Sequence, residues 1–247
     1  MHPLAATQSF FDVFGSTARY IAISHEFEEK YGAMPRRILQ GLMTRWAKNL
    51  LRVINVHVVH KQGTASQQPC LMVGNHISYV DIPLLMSASP AVFVAKKEVG
   101  SYPFIGMGCK RLETVLVDRN SNRSRSLVAK QVAEAIQMRG QTVAIFPSGT
   151  TTIDEQKPWR FGAFSIAKKF DIPIQPFVID YHPLRSTAFI GDDYLAPHLW
   201  AFLRGQPVKA AIELWEPRQV RDPQTDAREL HEAVKKRLNE IRTHCYN

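Results

Sequence analysis

The chain has 247 residues, 45% of them hydrophobic and 21% charged, with 31 Lys and Arg against 22 Asp and Glu for a net charge of +9. That length holds one α/β domain with a well-buried core and is too short to argue for two. The basic excess suits an anionic bilayer, nucleic acid or a phosphorylated small molecule, without choosing among them.

Cys70, Cys109 and Cys245 are odd in number and far apart. They make no disulfide framework and no Cys-x-x-Cys metal pair, which points to a reducing compartment. The opening residues MHPLAATQSFFDVFGSTARY lack the basic and apolar regions of a signal peptide. No run approaches the roughly 18–20 apolar residues of a spanning helix, so any membrane contact is expected at the surface.

Along the chain, residues 1–33 are weakly patterned and predict one or two short helices. From Pro35 to Ile54 the pattern sharpens, with Ile38, Leu39, Leu42, Met43, Trp46, Leu50, Leu51 and Ile54 on one helical face. Arg36, Arg37, Arg45, Lys48 and Arg52 fall mostly elsewhere, and no Asp or Glu occurs between Glu29 and Asp81. The same pattern fits a helix lying on anionic lipid or one packed on the domain core. Strand and helix signals then alternate. Strands are expected at 56–59, 71–73, 92–95, 114–117, 142–146, 174–179 and 208–214. Helices are expected at 79–88, 122–139, 162–170 and 225–243. Such alternation predicts an α/β fold: a mixed central sheet with helices on both faces, preceded by amphipathic N-terminal helices.

In open α/β sheets the ligand crevice lies outside the carboxyl ends of the strands. After Val73 comes GNHISYVDIP. In one regular helix His76 and Asp81 would stand about 140° apart. With His76 in the turn and Asp81 entering the next helix, the carboxylate can reach the imidazole and make it a general base. The alternative is a capped helix start, with Asn75 or Ser78 capping and His76 merely polar. After Val117 come Asp118 and Arg119. Lys96 and Lys97 end the strand at 92–95. After Phe146, Pro147 and Gly149 allow a tight turn, and Thr150, Thr151 and Thr152 carry hydroxyls. His57 and His60 fall on opposite sides of a strand and suggest no metal site.

Four stretches in order, NHISYVD (75–81), TVLVDRN (114–120), FPSGTTT (146–152) and IPIQPFVI (172–179), resemble the motifs of the 1-acylglycerol-3-phosphate acyltransferase family of glycerolipid acyltransferases. AKKEV (95–99) is similar to a lysine-containing segment between the first two, and the resemblance spans about 35–215. It implies that His76 takes the proton from a lysolipid hydroxyl attacking a thioester, with Asp81 orienting the imidazole. Arg119, Lys96, Ser148, Gly149, Thr150 and Thr151 would hold the acceptor headgroup. The apolar helix and the 158–170 region would contribute to an acyl groove.

The partners implied are an acyl-CoA or acyl-carrier protein donor, a lysolipid acceptor and an anionic membrane surface. No cofactor and no metal are implied, and no nucleic-acid reading module is recognisable. The site would work peripherally or monotopically on the cytoplasmic face of a membrane. Residues 1–55 would be the membrane-contact region and 56–247 the acyltransferase domain. The chain departs from the family at Ser148, where a carboxylate is usual, and at Thr151, where many members have Arg. Thr after Gly-Thr and the stretch FIGDDYLAPHLWAFL (189–203) are similar to the lyso-ornithine lipid acyltransferase branch. Two acceptors therefore stay open, lysophosphatidic acid and a lyso-aminolipid such as lyso-ornithine lipid. The Ser148 departure also admits a catalytically weakened lipid-binding or scaffold protein of the same fold.

Overall fold

The computed structural model describes residues 3–101, 105–111, 113–118, 122–191 and 193–246. Two helices lead, α1 (Pro3–Tyr31) and α2 (Arg36–Val53), followed by β1 (Val56–Gln62), β2 (Leu71–Gly74), α3 (Asp81–Ala88) and β3 (Ala91–Lys96). Then come α4 (Ile105–Arg111), β4 (Val115–Val117), α5 (Asn122–Gln137), β5 (Thr142–Ile145), α6 (Gly162–Lys169) and β6 (Ile174–His182). The chain ends with α7 (Leu184–Thr187), α8 (Leu195–Arg204), β7 (Val208–Leu214) and α9 (Pro223–His244). The strands form one seven-stranded sheet in the order β1-β7-β6-β2-β5-β3-β4. From β6 to β4 every pairing is parallel. β7 runs antiparallel to β6 and carries β1 in parallel beside it. The mixed sheet expected from the alternating pattern is thus the one that forms.

Helices cover both faces because the strands are apolar on both faces. Met72, Phe177, Ile179 and Tyr181 join one core cluster with residues of α2, α3 and α8. Leu71, Val73, Ile174 and Val178 join the other, with residues of α5, α6 and α9. The apolar face of α2 belongs to the first cluster: Met43, Ala47, Leu50 and Leu51 are buried there. Of the two readings the sequence allows, core packing therefore accounts for the second half of this helix. Ile38 near its start stays exposed, as do Phe11, Ile23 and Tyr31 on α1.

Several features differ from the sequence expectation, and four of them are informative. The first 33 residues hold one continuous helix, α1, rather than one or two short ones, and Trp46 Nε1 donates to Thr17 Oγ1 at 3.1 Å to tie it to α2. β6 runs three residues past the expected end because its polar residues find partners. Tyr181 bonds Asp81, and Asp180 takes Arg242 at 2.8 Å. α8 begins Leu195-Ala196-Pro197, and a proline in the first helical turn costs no hydrogen bond. Fourth, in the 158–170 region Trp159, Ala163, Phe164 and Ala167 are core residues, so their apolar surface serves the fold rather than a groove.

Candidate active site

At the end of β2 the chain must leave the sheet beneath the Phe177 ring. A β-carbon on Gly74 would lie 2.4 Å from that side chain, so glycine alone fits. Asn75 follows, fully buried, and its amide replaces a ladder pair. Nδ2 donates to Ile179 O at 2.7 Å, and Oδ1 accepts from Ile179 N at 2.9 Å. Asn75 is therefore a clamp on β6 and caps nothing. With its backbone so fixed, the next residue, His76, emerges at the carboxyl edge of the parallel strands.

His76 Nδ1 lies 2.6 Å from Asp81 Oδ2, and Asp81 is the first residue of α3. The same oxygen accepts from the backbone N–H of Ile77 at 2.7 Å and of Ser78 at 3.1 Å. Oδ1 accepts from the Tyr181 hydroxyl at 2.7 Å. Burial, then the charge of Asp81, push the Tyr181 pKa far up, so this phenol keeps its proton and donates. A carboxylate at a helix N-terminus also lies at the favourable end of the helix dipole. With Nδ1 engaged by the carboxylate, Nε2 is the nitrogen left to exchange a proton. The His76 side chain is 20% exposed while Asp81 is fully buried, and the imidazole stacks on Phe146 with centroids 3.9 Å apart.

The turn after β5 is fastened to the same histidine at both ends. Phe146 stacks on the ring, and the N–H of Thr152 donates to His76 O at 2.8 Å. Between them Gly149 takes φ +72 and donates its N–H to Phe146 O at 3.1 Å. The Ser148 hydroxyl donates to Thr150 O at 2.7 Å, and the Thr151 hydroxyl donates to Phe189 O. Both hydroxyl protons thus hold the turn, leaving oxygen lone pairs for any ligand. Thr150 is exposed at its apex. Lys96 ends β3 on the same sheet edge, two strands from β2, with its side chain exposed. Arg119 lies outside the described residues.

Three residues beside the site carry no signal in the sequence. Tyr181 is one. The others are Glu155 and His231, which meet beneath the turn. Glu155 takes φ +49, is 1% exposed, and receives Trp159 Nε1 on Oε2 at 2.6 Å. Its Oε1 has no hydrogen-bond partner. His231 Nε2 donates to the Glu155 backbone oxygen at 2.8 Å. Burial raises the Glu155 pKa, and the Trp159 indole and the His76 backbone N–H draw it back. Tyr79 is also held close by, with its hydroxyl 3.1 Å from His198 Nδ1. Among the described residues no group of three or more His, Cys, Asp and Glu side chains is placed to hold a metal. His60 pairs with Glu213 at 2.7 Å and His57 with Asn55 at 2.8 Å, each on its own.

Comparison with known proteins matches residues 53–180 to a family model described as Acyltransferase. The lyso-ornithine lipid O-acyltransferase of Pseudomonas aeruginosa is 35% identical over 204 residues, covering 80% of this chain and 78% of its own. The 1-acyl-sn-glycerol-3-phosphate acyltransferase of Neisseria gonorrhoeae is 37% identical over 82 residues, 33% of this chain and 32% of that protein. The crystal structure of the 1-acyl-sn-glycerophosphate acyltransferase of Thermotoga maritima superimposes with a TM-score of 0.72 at 18% identity. It covers 99% of this chain and 97% of that one, a likeness of fold.

Proposed function

Because the chain belongs to the acyltransferase family of lysolipid-acylating enzymes, we propose that it moves a fatty acyl group from a thioester to a lysolipid hydroxyl at a membrane surface. The observation that carries this reading is the 2.6 Å bond between His76 Nδ1 and buried Asp81, with the imidazole partly open at the carboxyl edge of the sheet. His76 Nε2 takes the proton of the acceptor hydroxyl as its oxygen attacks the thioester carbonyl. The tetrahedral intermediate then collapses, the C–S bond breaks, and the imidazolium returns the proton to the leaving thiolate. Asp81 orients His76 and stabilises the transient positive charge. The donor is acyl-CoA or acyl-carrier protein.

The acceptor headgroup sits over the Ser148–Thr151 turn, with Lys96 and Arg119 as its cations. Residues 1–55 form the N-terminal helical region and 56–247 the acyltransferase domain, working on the cytoplasmic face. Membrane contact falls to α1 and the exposed start of α2, because the second half of α2 is core. Exposed Phe11, Ile23, Tyr31 and Ile38, with exposed Lys30 and Arg37 nearby in the chain, support that contact.

The test is acyl transfer by wild type and His76→Ala, with labelled acyl-CoA and acyl-carrier protein and a panel of lysolipids. Wild type should acylate a lysolipid, and the variant should lose about 10²–10⁴ in kcat while keeping its fold by circular dichroism. Undiminished transfer by His76→Ala would sink the mechanism. Ser148 favours a second reading, a catalytically weakened lipid-binding protein. A wild type that binds lysolipids and transfers nothing would establish that reading instead.

A further inference from the structure

The third-motif turn has Thr at 151 where a cation would serve an anionic headgroup, and the Thr151 hydroxyl is committed to Phe189 O. The fold brings a cation to that turn from elsewhere. Arg160 donates its backbone N–H to Pro147 O at 3.1 Å, which fastens it to the start of the turn. Its guanidinium lies across Gly149. A β-carbon on that glycine would stand 3.3 Å from Cζ and from Nη1 of Arg160, and 3.5 Å from Nε. Gly149 is thus favoured by its φ of +72, and a β-carbon there would press the guanidinium aside by a few tenths of an ångström. The preceding residue, Trp159, is buried and bonded to Glu155, so the backbone that presents Arg160 is fixed from below. Arg160 itself is exposed, and no carboxylate among the described residues pairs with it.

We propose that Arg160 reads the oxyanion of the acceptor headgroup, a specificity role that rests on the acyl-transfer reading above. The turn it covers is anchored at both ends on His76, so a headgroup held there keeps its hydroxyl within a few bonds of the imidazole. A guanidinium fork engages a phosphate or a carboxylate through two parallel hydrogen bonds. Lysophosphatidic acid offers the first and a lyso-aminolipid the second. Both acceptors are therefore compatible with Thr151, and the missing motif arginine does not count against a phosphate.

The experiment measures acceptor kinetics for wild type, Arg160→Ala, Arg160→Lys and Gly149→Ala with lysophosphatidic acid, lyso-ornithine lipid and uncharged monoacylglycerol. Arg160→Ala should raise the KM of the natural anionic acceptor about 10- to 100-fold, the scale of a lost charged hydrogen bond, with the donor KM little moved. The preference for that acceptor over monoacylglycerol should shrink by a similar factor. Arg160→Lys should recover part of the loss, and Gly149→Ala should share its direction by displacing the guanidinium. Which anionic acceptor loses most identifies the headgroup.

An unchanged acceptor KM in Arg160→Ala overturns the proposal, as does a fall in kcat alone. Equilibrium binding of dodecyl phosphate and dodecanoate to wild type and Arg160→Ala separates this inference from the catalytic one. Arg160-dependent binding of either amphiphile by a protein that transfers no acyl group would overturn the acyl-transfer reading and leave the anion contact standing. Equal binding of both amphiphiles by both proteins, in a protein that does transfer, would overturn the anion contact alone.

Discussion

Two histidine–carboxylate pairs lie within one loop of each other, and they are built for opposite ends. His76 meets Asp81 at 2.6 Å through Nδ1, and its side chain is 20% exposed. His231 lies 3.7 Å from the Glu155 carboxyl, is 6% exposed, and gives its Nε2 proton to a backbone oxygen instead. Both carboxylates are buried. Asp81 collects His76, two backbone N–H groups and a tyrosine hydroxyl, whereas Glu155 has the Trp159 indole as its one side-chain donor, on Oε2, and an Oε1 without a hydrogen-bond partner. A histidine beside an acid becomes a base when the acid holds one ring nitrogen and leaves the other facing open space. The His231 pair fails both conditions and serves as a brace between α9 and the 152–160 segment.

The widest separation between the pairs should come from their conservative variants. Asp81→Asn is expected to lower kcat by about 10⁴, the cost of misorienting a base through the wrong tautomer. His231→Gln is expected to keep kcat within about threefold while losing roughly 1–2 kcal/mol of stability, one buried hydrogen bond's worth. Steady-state acyl transfer and thermal melts of both variants check this. Equal losses of kcat would erase the distinction.

Next in size is Tyr181→Phe, which removes one donor from Asp81 without touching His76. Its expected effect is about tenfold in kcat, within the 1–3 kcal/mol of an unsatisfied buried acceptor, with acceptor KM little changed. Trp159→Phe is the matching change on the other pair, since it takes the one side-chain donor from Glu155. A loss of the same 1–3 kcal/mol should appear there in the unfolding free energy and hardly at all in kcat. If Trp159→Phe lowered kcat as far as Tyr181→Phe, the Glu155 pair would belong to the base as well.

The two pairs also differ in how far sequence reasoning reaches them. His76 and Asp81 are five residues apart across a strand-to-helix turn, so local geometry allows their contact, and the motif resemblance selects it over a capped helix start. The α/β alternation was equally legible, because each strand carries its own apolar run between turn residues. Tyr181 reaches Asp81 across 100 residues, and His231 reaches Glu155 across 76. Such contacts are made by strand order and helix docking, which no local pattern encodes. Glu155 is hidden further by its neighbours, since IDEQKPWR reads as an ordinary polar loop. The basic helix shows the opposite limit. Its apolar stripe was plain, yet the stripe alone does not say whether it meets lipid or protein, and Leu50 and Leu51 answer only by packing in the core. Arg160 lay within the 158–170 stretch assigned to an acyl groove, and its place over Gly149 depends on the return of the loop to Pro147 O.

The smallest effect, and the one that separates the two acids by chemistry rather than position, is the pH dependence of Glu155→Gln. Burial raises the Glu155 pKa above its ordinary 4.5. The Trp159 bond, the His76 backbone N–H and the His76 charge oppose that rise, and the Asp81 charge adds to it. His231, whose Nε2 stands 3.7 Å away, and Glu232, 3.8 Å beyond it on His231 Nδ1, are the titratable neighbours from α9. A raised folded pKa means the native state holds this proton more tightly than the unfolded chain does. The acid therefore contributes stability fully below pH 4.5 and loses it as pH climbs through its elevated folded value. Glutamine mimics the protonated acid and cannot ionise. The melting temperature of Glu155→Gln relative to wild type should thus be flat below pH 4.5 and rise in the variant's favour above it, with acyl transfer retained throughout. A difference that stayed constant across pH would mean Glu155 ionises as freely as a surface acid. The brace beneath the turn would then carry charge.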